Sequence, residues 1–128
     1  MSTVKTVSPR DLHFELKVWL NELAFFKEEL LGFEQRLSDE AHKHITEKNV
    51  MAEVEHFQNQ FIRQKEVVDV TRHNVKQAEN QLEKLSKNHS DTENIYYDHT
   101  SLREEMNTFR DLYNSLKKEF LAFLAKHM

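Results

Sequence analysis

Eight histidines in 128 residues are the side chains here best suited to chemistry, and metal ligation is the chemistry they suggest. Helical di-iron proteins take ligands from two E-x-x-H motifs on facing helices, plus two further glutamates. Only Glu53-Val54-Glu55-His56 fits that motif, and His56 falls off the apolar stripe of its own helix. The H-x-x-x-E and H-x-x-x-H pair of a second di-iron class is incomplete: His89 and Glu93 give the first across an expected turn, and the second never occurs. H-E-x-x-H, the helical zinc-protease motif, is missing too.

Two looser groups of histidines remain. His42, His44 and His127 are expected to gather at one end of the fold, and His13, His89 and His99 at the other. Either group could in principle hold zinc or copper or act as a pH-sensitive latch, but exposed turn histidines are ordinarily solvated. His99 differs, since it occupies an apolar stripe and needs a neighbour to satisfy it. There is no G-x-S-x-G, no glycine-rich phosphate loop and no pair of carboxylates in an apolar setting. The expectation is a protein that is not an enzyme, with no cofactor and no metal.

The elements that would position these residues follow from spacing. From Thr46 to His89, Val50, Val54, Phe57, Phe61, Val68, Val75, Ala78, Leu82 and Leu85 alternate by threes and fours, interrupted only by Gln64 and Thr71. That is a heptad seam on a helix of roughly 64 Å, too long to be stable alone in water. Leu12, Leu16, Trp19, Leu23, Phe26, Leu30, Phe33 and Leu37 repeat the pattern before it. Ile95, His99, Leu102, Met106, Phe109, Tyr113, Leu116, Phe120 and Phe123 repeat it after.

One Gly, one Pro and no Cys leave little material for turns, so the connections must be few. The fold class is therefore all-α: an antiparallel three-helix bundle with coiled-coil heptad seams. It is architecturally similar to a spectrin-type three-helix repeat, Trp19 included, with no family motif behind the likeness. Residues 1–8 read as a flexible tail whose last residue, Ser8, can cap a helix opened by Pro9. Residues 9–128 form a single bundle, with helices expected at 9–42, 46–88 and 91–127. Thr46 is the expected cap of the second helix, and Ser90-Asp91-Thr92-Glu93 is a capping box for the third. With a tight turn at 41–45, Trp19, Thr71 and Phe109 share one layer and Phe26, Gln64 and Leu116 another. The rival architecture is a longer hairpin, two copies of which complete a four-helix bundle.

Net charge is −4, and no segment is basic: residues 9–45 carry 5 basic and 8 acidic side chains, 46–90 carry 7 and 7, 91–128 carry 5 and 7. Nucleic acid is thus not an expected partner. Nor is integral membrane association, since no stretch approaches the roughly 18 apolar residues of a span. Cytoplasmic location is the default expectation.

Apolar residues off the seam are the remaining signal. Phe14, Val18, Phe25 and Leu31 on the first helix, with Ile62 and Val70 on the second, face away from the expected core. A helix apolar on two sides is normally covered on two sides. The expected function is a non-enzymatic protein-interaction module, self-associating as a dimer through the outer face of the first helix. The alternative is an amphipathic bundle that opens to bind a lipid surface or a hydrophobic ligand, with Phe120-Leu121-Ala122-Phe123-Leu124 as its richest apolar run.

Overall fold

A computed structural model describes residues 8–88 and 92–127, with side chains at 8–84 and 99–127. Residues 1–7, His89, and Ser90 and Asp91 of the expected capping box lie outside the described residues. Three helices account for the fold: α1 (Pro9–Lys43), α2 (Lys48–Asn88) and α3 (Thr92–His127). Among the described residues there is no strand.

Ser8 caps α1, as its place before Pro9 suggested. Its Oγ accepts from the Asp11 amide at 3.2 Å, Pro9 takes the first turn, and Asp11 sets a carboxylate near the positive helix end. Gly32 does not end the helix, which continues for eleven residues to Lys43. The first connection comes later than the spacing suggested, at residues 44–47 instead of 41–45. Thr46 is not the cap of α2. Glu47 immediately precedes that helix, and its carbonyl accepts the first α-helical bond, from Met51, at 3.0 Å. The Glu47 carboxylate meanwhile contacts His44 Nδ1, tying the two ends of the turn together.

Every described seam residue of the three helices is buried except Phe26, Phe33 and Ala78, which are half-buried against the same core. Cross-helix pairs fix the directions. Lys27 meets Asp69 and Glu34 meets Lys65, numbers rising on α1 as they fall on α2, so these helices run antiparallel. Thr71 meets Glu105 and Glu53 meets Lys126, giving the same relation between α2 and α3. It follows that α1 and α3 are parallel. α1 packs most closely on α2 and least closely on α3.

The expected layers need correcting by most of a heptad on α1: Lys27 meets Asp69, and Trp19 stacks on His99 rather than sharing a layer with Phe109. The Phe26 ring lies 4.5 Å from that of Tyr113 and 5.2 Å from that of Phe109, which places it in their layer. The cause is the late turn: lengthening α1 before the chain reverses slides its residues against both partners. Near this turn a phenylalanine cluster closes the core, with Phe33, Phe57, Phe61 and Phe123 around Phe120 at ring separations of 5.0–6.2 Å. Edge-on and offset aromatic pairs of this kind contribute about 0.5–1.5 kcal/mol beyond area burial.

Candidate interaction surface

The expected histidine groups come only partly together. His44 and His127 do meet, ring centres 5.4 Å apart. His42 turns away, its Nδ1 2.9 Å from the Ser38 carbonyl oxygen of its own helix. Beside the pair sits a residue that spacing alone did not single out. Glu40 is 1% exposed, with Arg36 and Lys43 at 3.3 and 3.4 Å from one carboxylate oxygen. Its other oxygen is 3.7 Å from His44 Nε2, and Glu53 Oε2 is 3.7 Å from His127 Nε2. Both separations exceed hydrogen-bond length, and Glu40 Oε2 and His127 Nε2 are buried without a hydrogen-bond partner. Among the described residues, no three His, Asp or Glu side chains are placed to hold a metal ion. An open cleft of about 490 Å³ borders this end, lined by Glu47, Val50, Glu53, Lys126 and His127 among others.

At the opposite end His99 is satisfied by a neighbour, as its seam position required. It is 4% exposed, stacks on Trp19 at 4.9 Å between ring centres, and bonds to Glu15. Glu15 also accepts from Arg103 Nη2 at 2.7 Å. Burial pushes the Glu15 carboxyl upward, but the hydrogen bonds and charges of Arg103 and His99 outweigh it and hold the group below its ordinary value.

Glu15 is the first rung of a ladder along the α1–α3 seam. Glu22 accepts from Arg110 Nε and Nη2, each at 2.7 Å, and Glu29 takes Lys117 at 3.1 Å together with the Tyr113 hydroxyl. Each acid and its base are 88 residues apart, and successive rungs are one heptad apart. Burial, then the bond to Glu29, raises the Tyr113 phenol above its ordinary range. The rungs stay partly solvated, so each is worth about 1 kcal/mol or less, and they set position more than stability.

Outside the ladder the surface carries large apolar side chains. Phe14 is 71% exposed, Phe25 59%, and Val18, Leu31, Ile62 and Val70 are all exposed as well. They do not all lie on one side of the bundle. Val18 and Phe25 each lie one helical turn from ladder glutamates and lean toward α3, while Phe14 points straight outward. Leu31 lies one turn from Lys27 and Glu34, which pair with α2, and Ile62 is one heptad from Asp69, which pairs with Lys27. Leu31 and Ile62 therefore flank the same α1–α2 groove. Val70 lies elsewhere. It is one turn from Asn74, whose amide donates to Glu105 of α3, and so it shares the α2–α3 side with exposed Val67 and Leu112.

No known family model matches the chain, and no curated protein or solved structure matches it either. The likeness to spectrin-type repeats thus rests on the number and order of helices alone. No described helix is long and apolar enough to cross a membrane.

Two features, the buried Glu40 and the α1–α3 ladder, carry signals that apolar spacing alone does not show. Glu40 stands three residues after Leu37 and four before His44, so the three-and-four spacing did continue, in polar side chains. The ladder had a signal as well: acids every seventh residue on one helix and bases every seventh on another.

Proposed function

We propose that the chain is a non-enzymatic protein-interaction module that self-associates through the outer face of α1. The observation that carries this is the exposure of Phe14, Val18 and Phe25 on a helix whose opposite stripe is already committed to the core. Leu31 and Ile62 extend the face, and Val70 does not belong to it. Covering each of these side chains would contribute about 1.5–3 kcal/mol if complete and less if partial, enough to offset much of the entropy of association. A two-fold dimer is the commonest outcome of a self-complementary patch.

Solution mass across a concentration series is the test. The parent should rise from 15.4 kDa toward twice that value. The double variant Phe14→Glu with Phe25→Glu should stay monomeric with its helical content intact. Unfolding of that variant would show that the stripe is core, and a parent that remains monomeric throughout would sink the reading.

A lipid-binding bundle is the second reading, favoured by one observation: the α1–α3 seam, where the two backbones approach least, is bridged by partly solvated ion pairs. Parting it would bare Phe26, Phe109 and Tyr113. Vesicle binding accompanied by loss of near-ultraviolet circular dichroism would support it, and binding without that loss would not.

A further inference from the structure

The outer face of α1 carries a second stripe at three-and-four spacing: Phe14, Lys17, Asn21, Ala24, Glu28 and Leu31, all exposed. Written backwards, the stripe complements itself. Phe14 falls opposite Leu31, Lys17 opposite Glu28, and the two small or short side chains Asn21 and Ala24 meet in the middle. Among the described residues neither Lys17 nor Glu28 has an ion-pair partner, although most charged residues around them do.

Resting on the self-association proposed above, we infer that two copies meet α1 against α1 in antiparallel fashion, about a two-fold axis beside Asn21 and Ala24. Charge decides the direction. A parallel pairing sets Lys17 against the partner's Lys17 and Glu28 against the partner's Glu28, with like charges face to face. The antiparallel pairing makes two Lys17–Glu28 pairs per dimer.

The flanking residues obey the same symmetry. Val18 and Phe25 lie on one side of the stripe and come within about 3 Å, along the helix, of lying level with the partner's Phe25 and Val18. On the other side Leu31 borders the α1–α2 groove that Ile62 also flanks, and the partner's Phe14 falls opposite Leu31 there. The contact runs about 26 Å along each helix. Small side chains at the axis allow the helices to approach closely, while the bulky apolar groups sit toward the ends.

Charge exchange tests the register on the intact chain. Lys17→Glu alone and Glu28→Lys alone each place two like-charged pairs across the axis. Either should weaken dimerisation about tenfold at low salt, and the two together should restore it to within about threefold of the parent. Both positions are exposed, so circular dichroism should be the same for all four proteins. If the parent dimerises and Phe14→Glu with Phe25→Glu abolishes this, but the charge variants behave like the parent, the surface stands and the antiparallel register is overturned. Single variants that dimerise normally while the double variant fails would overturn it equally. A parent that stays monomeric removes self-association itself, and this pairing with it.

Discussion

Gln64 and Thr71 occupy equivalent core positions one heptad apart on α2, yet their polar atoms are treated differently. The Thr71 hydroxyl donates to Glu105 Oε1 at 3.0 Å, whereas Gln64 Oε1 is buried with no hydrogen-bond partner. Spacing alone treats the two as alike, as isolated polar residues that set register.

Their substitutions should therefore move stability in opposite directions. Gln64→Leu removes an unsatisfied acceptor and adds apolar contact, and should raise stability by about 1 kcal/mol. Thr71→Val should lower it, because Glu105 then keeps only Asn74, at 3.3 Å, of its two partners on α2. Thermal melts of both variants check this. A less stable Gln64→Leu would show that the amide serves a network the geometry does not reveal.

Gly32 lies in the interior of α1 and is exposed, and a Cβ built on it meets nothing within 4 Å. No internal contact requires a glycine there, while its backbone freedom costs the helix about 1 kcal/mol against alanine. Gly32→Ala should accordingly raise the melting temperature without changing the circular dichroism spectrum. A lower melting temperature would mean that α1 needs to bend at this point.

The lowered Glu15 carboxyl makes the ladder sensitive to acid. A group whose folded value is depressed contributes stability that is fully present above its unfolded value, close to 4.5, and is lost as pH falls through the lower folded value. Glu15→Gln removes the charge at every pH. Parent and variant should differ in denaturant midpoint at neutral pH and converge as the pH drops below 4.5. A gap that stays constant through that range would mean that the charge of Glu15 is not what binds His99 and Arg103.

Helix number and inward faces were legible because three-and-four spacing states directly which side of a helix leaves water. Leu12 to Leu37 needed no tertiary information to be assigned to the core. Relative height was not legible in the same way. It depended on where the chain reverses, and at Ala41 to Glu47 no glycine or proline marks the spot. Thr46 has the better capping side chain, but Glu47 gains His44 as a partner across the turn, a contact that exists only once the turn is made. Apolar spacing on α1 stops at Leu37, and Glu40 continues it only because neighbours neutralise a carboxylate at a core position. Arg36 and Lys43, one turn away on either side, supply that. The outward residues were individually visible, but their division into separate faces required the cross-helix pairs of Asp69 and Asn74.

A zipper with evenly spaced teeth can be closed one tooth out. The acids and bases between α1 and α3 recur at a fixed interval, so sliding α3 by seven residues would still join Glu15 to Arg110 and Glu22 to Lys117. The ladder alone would accept either setting at the loss of a single rung. Trp19 and His99 break that ambiguity. The stacked indole and imidazole occur once, and Glu15 reaches His99 only when its neighbour in the ladder is Arg103. The repeating contacts supply alignment over a long interface, and one unrepeated contact near its end tells the helices which alignment is correct.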